Sequence, residues 1–420
     1  MTTTAAPALT FRPRPQVCRA CGALHEPAPV AVCERCLGPL DPVLDPGRVL
    51  PGRDEIAARP RSLWRYREWL PFDGEPTLSL DTGCTPLVEA PRLATRLGVA
   101  RVWVKNDAVS HPSLSFKDRV VATAINAAVA FGIDTIGCAS TGNLANAVAA
   151  HAARAGLKAW IFIPEDLEPA KVIGTAVYGP RLVRVRGHYD DVNRLCAQVA
   201  DLFGWGILNV NLRGYYGEGS KTVAFEIAEQ LDWRLPTAVV APMAGGSLLT
   251  KLRKGFHEFT EAGLVSGGEA PPRMFGAQAA GCAPIVRLVR ENADAVIPVI
   301  PQTIARSIAV GNPADGLFAK RAMLESGGWA AAVSDAELVA GIRLLAEETG
   351  IFTETAGGVT VAAALALAAE GRFFPGDEVV LCITGNGLKT VDAVAPALPA
   401  APLIAPRVAE VRALVQAGDS

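Results

Sequence analysis

Three short stretches and two cysteine pairs hold the residues whose types and spacing could do chemistry. The first stretch is His111-Pro-Ser-Leu-Ser-Phe-Lys-Asp-Arg119. Lys117 stands there at an expected helix start, where the positive end of the helix disfavours a second positive charge. Desolvation and nearby positive charge both favour a neutral amine, the form that condenses with an aldehyde. A solvated surface lysine is the bland alternative. The second stretch, Ser140-Thr-Gly-Asn143, joins an expected strand to an expected helix. It reads either as an ordinary N-cap or as a ligand site using free helix N–H groups. The third is Pro242-Met-Ala-Gly-Gly-Ser247, again between strand and helix. Its small residues would let backbone N–H groups close on a phosphate, or simply make a tight turn. It carries neither Walker nor GxGxxG spacing.

Cys18-x-x-Cys21 and Cys33-x-x-Cys36 are eleven residues apart, with Gly22 and Gly38 close behind. Two such knuckles supply four thiolates to a closed, structural Zn²⁺ site. A redox pair or a metal-free ribbon are the alternatives. The other five cysteines (84, 138, 196, 282 and 382) are scattered and read as small core residues.

Positioning these groups requires a scaffold. Short β-branched runs at Arg101–Lys105, Thr135–Ala139, Ala159–Ile163, Leu182–Val185, Ala238–Ala241 and Glu378–Thr384 predict strands. Helical spacing marks Asp118–Phe131, Leu144–Ala155, Asp190–Phe203, Ser220–Leu231, Leu248–Phe259 and Asp335–Thr349. The alternation implies an α/β fold with mainly parallel sheets, in which ligands collect at strand-to-helix turns. Residues 1–45 read as a loop-rich module. An arm over 51–95 carries Trp64, Tyr66, Trp69 and Phe72 to pack on the body or on a second subunit. The tail after about 395 is Ala/Pro-rich, then weakly helical.

Half of the 420 residues are hydrophobic, 20% are charged, and the formal net charge is −2. Nothing there favours nucleic acid. The longest apolar run, Val359 to Ala369, is too short for a membrane span. The opening residues lack a basic n-region and an apolar h-region, so a cytoplasmic location is expected.

In order, Ser-Phe-Lys-Asp-Arg, Ser-Thr-Gly-Asn, Glu218-Gly-Ser-Lys-Thr222, the glycine turn and a late Thr-Gly-Asn-Gly resemble the threonine synthases over roughly residues 80–395. These are pyridoxal phosphate (PLP) enzymes of fold type II, the tryptophan-synthase-β-like group. The resemblance implies two three-layer α/β/α domains. The large PLP-binding domain would be built from 46–130 and 236–400 and the smaller from 131–235, with a ribbon at 1–45 and a tail at 401–420. It implies that Lys117 holds PLP and shuttles protons, that Asn143 bonds its 3′-oxygen, and that Gly245, Gly246, Ser247 and Leu248 hold its phosphate. Thr384 would contact the ring nitrogen. A neutral hydroxyl there does not force ring protonation, which suits elimination and replacement. Ser140 and Thr141 would lie near the substrate carboxylate. The implied reaction is γ-elimination and β-replacement on O-phospho-L-homoserine, giving threonine and phosphate. One lysine then suffices as base, acid and imine partner, so His111 and His151 read as structural. A homodimer is also implied.

The departures fall on the substrate side. The asparagine-rich phosphate loop common in the family is here Ala-Gly-Gly-Ser-Leu. Leu144 replaces a frequent Thr, and Tyr216 stands where many members place Arg. Lys105, Arg213 and Lys221 are the candidate cations for the phosphate dianion. A cysteate synthase or a threonine/serine dehydratase is the alternative within the group. A degenerate, non-catalytic scaffold is a third reading, against which the retained motifs argue.

Overall fold

The structure is a computed structural model that describes residues 11–418, apart from 46, 77, 79 and 267–269. The opening residues, read above for a leader, lie outside this range.

Two sheets carry the body. The larger has six strands in the order Ala330–Val333, Arg273–Ala279, Ala238–Pro242, Glu378–Ile383, Arg101–Asn106 and Leu87–Glu89. All its pairings are parallel except the last. The smaller sheet is wholly parallel: Arg181–Val185, Lys158–Pro164, Thr135–Ala139 and Gly206–Ile207. The central strands are buried along their whole length, which explains their continuous rather than alternating apolar runs. The expected strands and helices all form, with ends shifted by a few residues. Sequence periodicity missed Arg273–Ala279 and Ala330–Val333, whose runs of Ala and Gly carry little β signal.

The apolar run at Val359–Ala369 belongs to the helix Thr355–Ala369, which is buried against the larger sheet and against the helix Asp335–Thr349. A helix that is apolar all round must be buried in this way. The two helices touch at Gly341 and Gly358, where a Cβ on Gly358 would lie 2.3 Å from the Leu338 carbonyl oxygen.

The aromatic arm packs on the body. Tyr66 and Trp69 are buried against Phe225 and Phe259, while Trp64 and Phe72 join the core of the smaller sheet. That core also takes in the apolar residues of the helix Lys117–Ala130. The N-terminal module is a three-stranded antiparallel sheet ordered Leu24–His25, Gln16–Cys18 and Leu40–Pro42. The tail ends in the helix Val408–Gly418.

A buried ionic network ties the body together. Arg119 pairs with Asp107 at 2.7 Å and with Glu226, while Lys105 meets Glu226 at 2.7 Å. All four side chains are at most 3% exposed. The two cations hold the Glu226 carboxyl down to about 2 despite its burial. Removing one partner of a buried pair strands the others in low dielectric, at a cost of about 3–5 kcal/mol. Glu226→Gln is expected to lower unfolding free energy by about that amount, read as a fall in urea midpoint. A change below about 1 kcal/mol would show that the network is not integral to stability.

Candidate active site

Lys117 is the first residue of the helix Lys117–Ala130, and its position is fixed from both sides. Before it, the Phe116 N–H donates to the Thr384 carbonyl at 3.0 Å and Ser115 bridges Gly385. After it, the Asp118 carboxylate accepts from the Ser113 N–H at 3.0 Å and the Ser113 hydroxyl at 2.8 Å. The loop bearing Lys117 is thereby fastened to the loop that follows the strand Glu378–Ile383.

Lys117 projects into a cavity of about 200 Å³ between the two sheets. Its Nζ donates to the Tyr216 hydroxyl at 3.0 Å and sits over the Phe116 ring. Burial pulls the amine down to about 8, with Glu354 opposing. Burial also raises the Tyr216 phenol, so it keeps its proton.

The same cavity brings together Ser140, Thr141, Asn143, Gly245, Gly246, Ser247, Leu248, Thr384 and Arg213. Ser140 caps its helix: its Oγ accepts from the Gly142 N–H at 3.0 Å and the Ala145 N–H at 2.8 Å. Gly142 adopts φ +124°, and a Cβ there would fall 2.1 Å from Cδ of the fully buried Lys171. Asn143 donates to Glu354 at 2.6 Å and accepts from Lys389 at 3.1 Å. Gly246, at φ +93°, precedes the helix Ser247–Glu261, which starts without a side-chain cap. A Cβ on Gly246 would meet the Asp315 carbonyl oxygen at 3.1 Å.

Among the lining residues Arg213 and Lys117 are the only cations. Arg213 pairs with one oxygen of Asp315, whose N–H in turn donates to the Gly245 carbonyl at 3.0 Å.

The structure corrects two of the expected phosphate cations. Lys105 is spent on Glu226, the Thr85 carbonyl and Gln230. Lys221 is spent on Glu218, Glu258 and the Trp69 carbonyl. Both are at most 1% exposed and neither lines the cavity. Their cationic charge serves buried carboxylates, a role that residue type cannot distinguish from anion binding. His151 is buried outside the cavity, 3.6 Å from Asp118.

Sequence reasoning overlooked Glu354, Lys389 and Asp315. Glu354 carried a signal, being an acidic residue just before an apolar helix. Asp315 carried none, because its partners are far away in sequence.

The site suits PLP on its own geometry. It offers a half-buried lysine with a lowered pKa and an uncapped helix N-terminus behind two glycines. The buried Glu354 Oε2 on the cavity wall also lacks a protein partner. The four cysteines form a second constellation. Their Sγ atoms all lie within 4.8 Å of one another, with Cys18–Cys36 at 3.5 Å and Cys21–Cys33 at 3.8 Å. Tetrahedral Zn–S bonds of about 2.3 Å place sulfurs about 3.8 Å apart, so the cluster fits such an ion.

Comparison with known proteins agrees. Residues 78–385 match the family model of the pyridoxal-phosphate dependent enzymes. The chain is 36% identical to the threonine synthase of Methanocaldococcus jannaschii over 90% of its own length and 93% of that protein. It is 35% identical to that of Methanosarcina acetivorans, over 88% and 91%. Among solved structures, a fungal L-serine ammonia-lyase from Rhizomucor miehei superposes with a TM-score of 0.65 at 22% identity, covering 75% of this chain and 97% of that one. The processed threonine deaminase isoform 2 from Solanum lycopersicum gives 0.61 at 21%, covering 74% and 88%. At such identities the structural likeness shows the fold alone.

A lysine whose pKa is lowered to about 8 becomes neutral above that pH rather than near 10. The rate at which cofactor-free protein captures PLP should therefore climb as pH rises through about 8 and then level off. Stopped-flow absorbance checks this, and a rate still climbing at pH 10 would refute the lowered value.

Proposed function

The chain belongs to the pyridoxal-phosphate dependent enzymes and, within them, to the threonine synthases, and on that premise we propose that it converts O-phospho-L-homoserine and water to L-threonine and phosphate. The observation that carries the reading is one cavity holding a readily neutral lysine, a glycine cradle and a single guanidinium.

The residues divide the work. Gly245, Gly246, Ser247 and Leu248 would receive the PLP phosphate with backbone N–H groups and the positive end of the helix Ser247–Glu261. Asn143, held by Glu354 and Lys389, would address the 3′-oxygen, and Thr384 the ring nitrogen. PLP bound there supplies an electron sink that lets the amino acid lose its Cα proton and its γ-phosphate. Lys117 anchors the cofactor and, once released by the incoming amino group, takes the proton from Cα and redistributes protons at Cβ. The Tyr216 hydroxyl holds that amine in place. Ser140 and Thr141, at a helix N-terminus, face the substrate carboxylate. Arg213 is the cation that meets the substrate phosphate, since Lys105 and Lys221 are already consumed.

The four-cysteine cluster is read as a structural zinc site, all four positions being taken by thiolate. Reduced thiolates fit a cytoplasmic setting. Among the described residues no helix is long and apolar enough to cross a membrane. The homodimer implied by resemblance is part of the same proposal.

Purified protein given O-phosphohomoserine should release phosphate and threonine in equal amounts. No phosphate at millimolar substrate would sink the assignment, and 2-oxobutanoate released from threonine would point to a dehydratase. Lys117→Ala should abolish both turnover and the absorbance of lysine-held cofactor. Arg213→Ala should raise KM by roughly 10- to 100-fold, the worth of about 1.5–3 kcal/mol for a hydrogen bond to a charged group. Zinc analysis should find about one ion per chain, released by thiol modification; a metal-free, fully folded protein would refute the zinc reading.

A further inference from the structure

The four-cysteine module packs Gln16 and Leu40 against Gly214 in the helix that begins at Arg213, and it also sends one charged side chain, Arg19, to a carboxylate on the cavity wall. Arg19 lies between two of the cysteines, Cys18 and Cys21, and points out of the module. Its Nη1 is 3.0 Å from the Asp315 Oδ1, and its guanidinium stacks 3.9 Å above the Phe318 ring. The other Asp315 oxygen is taken by Arg213. Asp315 is 4% exposed, while Arg213 is 29% exposed and lines the cavity. The Arg19 Nε also faces Asp41 at 3.7 Å, but Asp41 is already held by Lys251 at 2.7 Å.

A lone Arg213–Asp315 pair is neutral, and a neutral pair attracts a phosphate dianion poorly. Arg19 shares the same carboxylate, so the three groups together carry one net positive charge. Asp315 also bonds the Gly245 carbonyl through its N–H, so the same residue borders the cofactor cradle.

We infer that Arg19 is a positioning residue that couples the four-cysteine module to the phosphate end of the active site, by neutralising Asp315 and leaving Arg213 charged and oriented toward a phosphorylated substrate. The inference rests on the reading of Arg213 as the phosphate-binding cation. It gives the cysteine module a role in substrate affinity beyond holding its own fold.

The test uses the PLP-loaded enzyme, with inorganic phosphate as probe. Arg19→Ala and Arg19→Gln should each weaken phosphate binding and raise the substrate KM on the order of tenfold, the scale of one charge-assisted hydrogen bond. kcat should stay within about twofold and zinc content should match the parent, because Arg19 touches neither cofactor nor substrate. Arg19→Lys keeps the charge and should recover most of the affinity. In an Arg213→Ala background the Arg19 substitutions should add less than about twofold, since coupled residues are not additive. Unchanged phosphate affinity in both neutral variants would overturn the coupling, as would an equal penalty with and without Arg213. Loss of zinc in both would also overturn it, because Arg19 would then be holding the module itself. If Arg213→Ala alone leaves phosphate affinity intact, the reading of Arg213 fails and takes this one with it. If Arg213→Ala weakens binding and Arg19 does not, only the coupling fails.

Discussion

The position of Lys117 is referenced to the buried guanidinium of Arg119. It stands two residues after Lys117 and bonds Asp107 at the end of one strand and Glu226 on the helix Lys221–Gln230. Lys105 completes a quartet of two cations and two carboxylates with almost no access to water. Such a group is stable only when every member is present. It therefore fixes the start of the helix Lys117–Ala130 against the larger sheet more strictly than apolar contacts, which tolerate sliding, could do. The apolar face of that helix meanwhile packs into the smaller sheet's core. The lysine amine thus sits on a rigid seam between two packed bodies, walled by Phe116 and Tyr216.

Much of this was legible in the sequence, for identifiable reasons. Strand-to-helix turns have local signatures, so Lys117, Ser140, Asn143 and Gly245–Gly246 stand out from sequence alone. Each of Lys117, Asn143 and Ser247 begins its helix. What stayed hidden was pairing across long sequence distance. Lys105 and Lys221 look like free cations until the distant Glu226 and Glu258 are seen beside them. Tyr216 looked like a departure where many relatives place Arg, yet its hydroxyl is the hydrogen-bond partner of the Lys117 amine. Strands such as Ala330–Val333 were invisible because alanine carries weak preference and only burial on both sides selects the extended form.

Charge is distributed unevenly around the cavity. At the Gly245–Gly246 end the groups on offer are backbone N–H groups of an uncapped helix start, which bring no long side chain to order. At the far end the cation is Arg213, which shares Asp315 with Arg19 of the N-terminal module. The protein is close to neutral overall, so the charge that faces the cavity is set locally by a few buried groups.

Gly142 shows how strongly such an arrangement restricts change. The space a side chain would need there is filled by the aliphatic stem of Lys171. That lysine is sealed from solvent and held toward Glu168. Enlarging residue 142 collides with the stem, and shortening residue 171 leaves a void beside the turn that begins the helix Asn143–Ala155. The φ of +124° at residue 142 disfavours a side chain even where room is made for it, so the constraint runs one way: the backbone keeps 142 a glycine, and the Lys171 stem fills the space that glycine leaves.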